Sequence, residues 1–306
     1  MAKNKNYNFD FYQCVTRSSD ENMPERQTAD VLSELFQRHS DPGRNTVKEI
    51  HRNKYELRMI EETDYGYRGI IGKHRENDLP HAAVVNGEER EITLAPNENL
   101  LEKAHFTYHV DYSVLIMQRN HYCISSNNMG KYLSIPGYAT ALNPVIEPAD
   151  LQWLMNNSVQ VRTAEIAIAR PRNPDLFRGL EHDFNNTIIS TLNGTGTAKL
   201  NLSLRGDAHS RDPEQRYLSG AFKRGIREMQ TTFDVKKCKL LLENQDTQMT
   251  HPVDLVADRL FFDKTISVEG RYPPTFEMWS ALAEAREEKE AELVNYFGSM
   301  ELQRLA

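Results

Sequence analysis

The stretch DPEQRYLSGAFKRGIREM, residues 212–229, combines a helix start signal with two faces of opposite chemistry. Asp212 can accept hydrogen bonds from the free amides of a first turn, and Pro213 suits the first helical position. Gln215 can reach back to complete a capping box. The stretch therefore predicts one amphipathic helix.

The two faces follow from the helical period of about 100° per residue. Arg216, Lys223 and Arg227 fall within about 40° of one another on this period. The opposite side carries the apolar residues Leu218, Phe222, Ile226 and Met229. The pattern fits either a solvated helix that covers a core or a helix whose basic face contacts phosphates.

Strands are predicted on both sides of this helix. Residues 159–169 form an apolar strand, and Leu200, Leu202 and Leu204 alternate with polar residues before the helix. A second helix begins at Asn173 and ends at Gly194-Thr195-Gly196. With a further strand at 235–242, the order strand, helix, strand, helix, strand predicts helices packed on a sheet.

The first half of the chain also reads as strands with covering helices. Alternating aromatics predict a strand at residues 7–15, and a helix follows Thr28. Residues 54–61 and 66–73 form a hairpin. Phe106 to Met117 is the clearest strand, and we expect a turn at 118–121 to make it a central hairpin with residues 122–124.

The fold class predicted from these patterns is α+β, with mixed sheets and packed helices in two domains. Residues 1–157 form an α+β domain with the central hairpin. Residues 158–306 form an α/β layer with the basic helix and a long terminal helix. That terminal helix begins at Thr275 and extends for up to about 30 residues. Its charged middle, EAREEKEAE, predicts that part of it projects into solvent or packs against a second copy; the alternative is a plain helix folded back on its own domain. Residues 253–268 hold a strand or helix pair before it.

Composition indicates an ordinary soluble protein. The 306 residues are 39% hydrophobic and 26% charged, and no apolar run approaches the roughly 18 residues that span a bilayer. The N-terminus has no apolar secretory core, so we expect a cytoplasmic protein. Cys14, Cys123 and Cys238 lack metal or disulfide spacing and are predicted to be free thiols in strands.

Charge is distributed unevenly along the chain. The net charge is −7, which argues against a uniformly basic nucleic-acid binder. Residues 162–239 nevertheless carry 14 Lys and Arg against 9 Asp and Glu, a balance of +5. The remainder carries 23 against 35, a balance of −12. The basic character is therefore concentrated around the predicted helix.

No familiar catalytic or nucleotide-loop motif is present. His105, His109 and His121 lie near the central hairpin, but no carboxylate series at ligand spacing accompanies them, so no metal site is predicted. His209 lies in a polar loop without a nucleophile beside it. We predict no catalytic residue, no cofactor and no metal.

A metal-dependent nuclease remains an open alternative. Pro174-Asp175 resembles the start of a restriction-type nuclease core, but Thr197-Ala198-Lys199 stands where a Glu-x-Lys would follow. Carboxylates that could hold magnesium in such an enzyme are Asp175, Glu181, Asp183 and the group Asp254, Asp258 and Asp263.

The nucleic-acid hypothesis depends on basic residues from three consecutive elements. We predict that one surface is formed by Arg205, Arg216, Lys223, Arg224, Arg227, Lys236, Lys237 and Lys239, with Lys199 beside them and Arg170, Arg172 and Arg178 at the rim. Such contacts give affinity through phosphates, without sequence choice.

The order of elements resembles the phage exclusion protein RexA and similar bacterial phage-defence proteins. The resemblance is carried by the strand pair at 106–124, the following NMGKY at 128–132, CKLLL at 238–242, and the run from 254 to 266 into a terminal helix. It implies a dimeric, cytoplasmic, DNA-binding protein that blocks phage growth without a known catalytic centre. This chain departs from that pattern in being acidic overall.

Three functional hypotheses follow. The first is a homodimeric protein that binds nucleic acid, double-stranded DNA in particular, and acts in phage exclusion without catalysis. The second is the nuclease described above. The third is a protein-interaction module whose terminal helix recruits a separate effector protein. No membrane partner is expected.

Overall fold

The computed structural model describes residues 3–298, except for gaps at 21, 42–44, 78, 147–153, 155, 157, 170–181, 208, 211, 233, 257–258 and 271. Mixed helices and strands confirm the α+β class. No helix among the described residues is long and apolar enough to cross a membrane.

A large antiparallel sheet holds most of the first half of the chain. Its strands are β1 (Lys3–Ser18), β2 (Lys48–Ile50), β3 (Asn53–Thr63), β4 (Gly66–Arg75), β7 (Leu100–His109), β8 (Val114–Gln118), β9 (Tyr138–Pro144) and β14 (Phe261–Val268). The order is β14-β1-β8-β7-β4-β3-β2, and β9 also pairs with β1. Strands β5 (Ala82–Ala83) and β6 (Glu89–Arg90) form a separate short pair.

Both faces of the large sheet are covered. Helices α1 (Thr28–Ser40) and α2 (Ser126–Leu133) pack on one face, around Tyr132, Leu35 and Phe106. The other face is covered by helix α6 (Thr275–Glu288), through Met278 and Leu282. Strand β1 contributes to both cores because successive strand residues point to opposite faces.

A smaller antiparallel sheet follows, in the order β11-β10-β12-β13. Its strands are β10 (Val159–Ala169), β11 (Lys199–Arg205), β12 (Asp234–Asn244) and β13 (Thr250–Asp254). Helices α3 (Asp183–Thr195) and α5 (Gly220–Thr232) cover one face of it with Ile188, Leu192, Phe222 and Ile226. The short helix α4 (Pro213–Arg216) lies between β11 and α5.

The chain then returns to the large sheet. Ile146 and Arg259 form an antiparallel bridge, so the segment with the small sheet leaves and re-enters at one place. Strand β14 pairs with β1 from Lys3 to Asp10, and α6 packs behind it. The predicted boundary at residue 157 falls between the two sheets, but β14 and α6 belong structurally to the first. Whether the two sheets are domains stays a prediction.

The central hairpin differs from the prediction. The strand expected at 106–117 is interrupted by a turn at residues 110–113, closed by a hydrogen bond from the Ser113 amide to the Val110 carbonyl at 3.3 Å. Apolar residues alternate with polar ones through this short turn as they do just before it. The sequence pattern therefore does not reveal the turn. Tyr108 consequently faces one core and Tyr112 the other.

Two smaller expectations also needed correction. All three cysteines are free and buried, but Cys123 lies in the turn before α2 and not in a strand. The terminal helix begins at Thr275 as predicted, yet ends at Glu288, and α7 (Glu290–Phe297) follows it. The apolar residues of α6 and α7 pack on the large sheet. Projection of the charged middle into solvent, or its contact with a second copy, stays a prediction.

Candidate nucleic-acid interface

The predicted basic helix is two helices and not one. Helix α4 ends at Arg216 and α5 begins at Gly220, because the Leu218 amide donates to the Val161 carbonyl at 2.8 Å. This contact with strand β10 takes residues 217–219 out of the helical path. Arg216 therefore does not share a helix face with the residues of α5.

Lys223 is buried and has a structural role. Its Nζ donates to the backbone oxygens of Asn156, at 2.8 Å, and Val159. Only 8% of the residue is exposed, and burial lowers the pKa of its ammonium group. The prediction that Lys223 faces phosphates is wrong. A helical wheel considers one helix alone. It cannot show that the chain at Asn156 and Val159, where β10 begins, passes beside the face of α5 that carries Lys223.

Arg216 is committed to a buried carboxylate. Glu243 on β12 is 1% exposed, and its Oε1 accepts from Arg216 at 3.1 Å and from the Tyr217 hydroxyl at 2.9 Å. Arg162 lies 2.9 Å from the other carboxylate oxygen. These contacts join α4 to β10 and β12, so the charge of Arg216 is largely balanced inside the fold.

The remaining helix residues lie on the covered side of the small sheet. Arg224 is exposed on α5, whose buried residues Phe222, Ile226 and Met229 pack onto the sheet. The side chain of Arg227 lies outside the described residues. Arg170, Arg172 and Arg178 are likewise outside the described residues.

The strand residues lie on the opposite side, which we call the open face. Leu200, Leu202 and Leu204 pack on the core beneath the helices, so the alternating residues of β11 point away from it. The basic residues of the open face are Lys199, Arg205, Lys237 and Lys239. Lys236 is exposed next to a register shift at which β12 carries one extra residue.

Two acidic residues pair with lysines of the open face. Lys237 pairs with Glu165 at 2.5 Å, and Lys239 lies 3.5 Å from Asp254. The eight predicted residues therefore do not form one surface. Arg205, Lys237 and Lys239 share the open face, and Arg216 and Tyr217 cover Glu243 at one end of it. Lys223 and Arg224 lie on the helix side of the sheet.

A basic cleft lies on the large sheet. Lys73 and Arg75, at the end of β4, line a cleft of about 450 Å³ with Arg52, Lys54 and Tyr122. The Tyr122 side chain is 71% exposed. We call this the Tyr122 cleft. Its aromatic ring and basic rim make it the next candidate for nucleic acid after the open face.

The carboxylates proposed for a nuclease are not gathered. Within the described ranges no group of three or more His, Cys, Asp or Glu side chains could hold a metal ion. Asp254 ends strand β13, Asp263 lies on β14 in the other sheet, and Asp183 begins α3. Asp175, Glu181 and Asp258 lie outside the described residues.

A second polar site was missed from the sequence. Asp10 and Tyr12 of β1, Arg119 after β8, Ser126 of α2 and Arg259, which precedes β14, line a pocket of about 430 Å³ beside the large sheet, which we call the junction pocket. The sequence contained one indication of this site: Asp10 is a charged residue at an inward position of a strand with aromatic neighbours. Nothing in the sequence linked it to Arg259, which is 249 positions later.

Comparison with known families gives one match. A sequence model described as "Family of unknown function (DUF6731)" matches residues 2–287. No curated protein matches the chain.

Proposed function

The chain belongs to DUF6731, a family of unknown function, and we propose that it binds nucleic acid without sequence preference through the open face of its small sheet. The observation that supports this proposal is the placement of Lys199, Arg205, Lys237 and Lys239 on one sheet face, opposite helices α3 and α5. We propose double-stranded DNA as the principal ligand.

The open face has dimensions that suit a duplex. Lys199 and Arg205 are six strand positions apart, or about 20 Å, and about six base pairs occupy the same length of DNA. Lys237 and Lys239 lie two strands away, which is about 10 Å across the sheet. The strands of the small sheet thus hold four positively charged side chains at spacings that suit a line of phosphates.

The two acidic residues reduce the affinity of this face but do not block it. Glu165 and Asp254 pair with lysines that are themselves 44% and 58% exposed. Exposed pairs of this kind contribute little to stability, so a phosphate can replace either carboxylate. Among the described residues the strands of this face carry no aromatic side chain, and Tyr217 at its end is buried against Glu243, which favours backbone contacts over base recognition.

The test is DNA binding across a salt series. Four phosphate contacts predict a slope of log K against log salt of about −3.6, from about −0.9 per contact. The variant Arg205→Glu/Lys237→Glu/Lys239→Glu should lose binding. Lys3→Glu/Lys5→Glu/Arg90→Glu changes the net charge equally at exposed sites elsewhere and should retain it.

The possible outcomes distinguish a wrongly assigned binding surface from a wrongly assigned function. Loss of binding in both folded variants would mean that net charge alone controls affinity, and the open face would be the wrong site. Binding that survives in the first variant but is lost in Arg52→Glu/Lys73→Glu would assign the Tyr122 cleft instead. No binding by the wild type at low salt would exclude the function itself.

The biological part of the proposal derives from the resemblance to RexA. We propose a cytoplasmic homodimer that restricts phage growth, with a separate effector protein as a further partner. Light scattering in solution measures the dimer. Cells that produce the wild type should give fewer plaques over a phage panel than cells that produce the Arg205/Lys237/Lys239 variant at the same level, and equal plaque counts would contradict this role.

A further inference from the structure

The junction pocket is formed where four parts of the chain meet. Strand β1 contributes Asp10 and Tyr12, the end of β8 leads to Arg119, α2 begins at Ser126, and Arg259 precedes β14. Its volume of about 430 Å³ lies in the range of small-molecule sites. It belongs to neither the open face nor the Tyr122 cleft.

Asp10 and Arg119 form a tightly held pair at the wall of this pocket. The Arg119 Nε donates to Oδ2 of Asp10 at 2.9 Å, and its Nη2 donates to Oδ1. Asp10 is only 8% exposed, so the carboxylate and guanidinium charges largely cancel. Arg119 contacts Asp10 through Nε and Nη2, along one edge of its guanidinium group. The N–H groups of its Nη1 are therefore left for another acceptor.

Arg259 supplies a positive charge whose hydrogen-bonding capacity is not filled. Its Nε is buried and has no hydrogen-bond acceptor among the described residues. Its backbone is fixed by the bridge to Ile146. A buried, charged donor without an acceptor is unfavourable, and an anionic group in the pocket would satisfy it.

Hydroxyl groups and a helix end add further donors. The Tyr12 hydroxyl is buried, lies 3.4 Å from Asp10, a distance at which its hydrogen bond is weak, and also interacts with the Ser126 hydroxyl, so the two hydroxyls reorient together toward a ligand. Burial raises the pKa of Tyr12, so its proton is retained at neutral pH. Ser126 lines the pocket at the first turn of α2, where free amides and the helix dipole favour an anion.

We propose that the junction pocket binds a phosphate monoester. Arg259 and Nη1 of Arg119 supply the positive charge, and the Tyr12 and Ser126 hydroxyls donate to the remaining phosphate oxygens. Asp10 positions Arg119. The volume exceeds that of one phosphate, so the group enters with the sugar or base to which it is attached. This site is independent of the open face and goes beyond the proposed function.

Calorimetry with defined probes tests this assignment. Inorganic phosphate and adenosine monophosphate should bind, and adenosine should not. A 5′-phosphorylated dinucleotide and its 5′-hydroxyl form distinguish a strand end from a free mononucleotide, since only a pocket open to a chain accepts the former. Equal binding of phosphorylated and unphosphorylated probes would overturn the proposal.

Two variants assign the donors. Arg259→Gln should weaken adenosine monophosphate at least about tenfold, the loss expected for a charge-assisted hydrogen bond. Tyr12→Phe keeps the buried ring and should weaken it by about fivefold. Arg58→Gln removes an exposed arginine on β3 and should bind as the wild type does.

The controls keep a negative result informative. Melting curves identify any variant that fails to fold, and Tyr12→Phe still tests the pocket if Arg259→Gln is unstable. Absence of binding by the folded wild type at millimolar phosphate and adenosine monophosphate, or equal affinity in wild type and Arg259→Gln, would show that the pocket is only a polar seam beside the large sheet.

Discussion

At the residue scale, Lys223 and Arg224 are adjacent on α5 but have opposite roles. Lys223→Met removes the donor to two backbone oxygens and should reduce the free energy of unfolding by about 1–3 kcal/mol. Arg224→Met changes an exposed side chain and should stay within about 0.5 kcal/mol. Urea unfolding measures both. Equal losses would contradict the structural role of Lys223.

The burial of His109 makes the folding stability of the protein depend on pH. Desolvation, with the charge of Arg286 adding to it, lowers the pKa of His109 to about 4. Its ring stacks on Tyr65 at 4.5 Å between centroids. The unfolded chain takes up a proton near pH 6.5, whereas the folded chain does so only near 4. Stability is therefore full above pH 6.5 and falls by on the order of 2–3 kcal/mol as the pH drops to 4.

The difference between variants isolates this contribution from the general effect of acid on carboxylates. His109→Gln should flatten the decline between pH 6.5 and 4 relative to the wild type. His209→Gln, at an exposed histidine, should leave the decline unchanged. A decline of the same steepness in all three proteins would show that His109 titrates normally when folded.

At the element scale, Glu243 holds α4 against the small sheet. Glu243→Gln leaves Arg162 and Arg216 without their carboxylate and should destabilise the protein by about 2–3 kcal/mol, less than for a fully buried pair because both arginines can rehydrate. Glu165→Gln, on the same sheet, breaks an exposed pair with Lys237 and should cause no measurable loss. Chemical denaturation of both variants gives the comparison, and similar losses would refute the anchoring role.

Local patterns predicted the elements better than their connections. The sequence correctly predicted strands β10 and β11, the hairpin of β3 and β4, and the start of α6. These elements depend on the alternation of apolar residues and on turn and helix-start residues, which are local features of the sequence. The break between α4 and α5 was missed because it depends on Val161, a residue on another strand.

The candidate site was predicted only in part for the same reason. Arg205, Lys237 and Lys239 were identified by their charge and by their position on the strands before and after the helix, and the observed strand pairing places them on one face. Burial of Lys223 is decided by β10, which no helical wheel includes. The junction pocket needed Asp10 and Arg259 to be brought to one place by the fold, which no local pattern encodes.

At the scale of the whole molecule, the chain order hides a nested arrangement. The small sheet lies within the sequence of the large one, because β14 returns to pair with β1 after residues 159–254 have formed the small sheet. Charge follows the same division, since the basic segment 162–239 lies almost entirely in the small sheet and its helices. Nucleic-acid binding by the open face should therefore be separable from the large sheet.

The bridge between Ile146 and Arg259 makes that separation testable. Bridged antiparallel residues lie about 5 Å apart, so a Gly-Ser linker of about four residues can replace residues 147–258 without strain. The shortened protein should keep both cores of the large sheet, melt cooperatively and retain its near-ultraviolet circular dichroism. It should no longer bind DNA.

Removal of the C-terminal segment provides the contrast. Deletion of residues 260–306 removes far fewer residues, but it takes away β14 and α6, which cover Phe9 and Phe11. Phe262 alone packs on Phe9 with 6.3 Å between ring centroids. This shorter deletion should therefore abolish cooperative folding, since it exposes one whole core.

The two deletions together decide the domain organisation. A folded protein after loss of 147–258 and an unfolded one after loss of 260–306 would establish the small sheet as a separable unit inserted between Ile146 and Arg259. If the first deletion instead lost near-ultraviolet signal and bound a hydrophobic dye, the two sheets would form one cooperative unit.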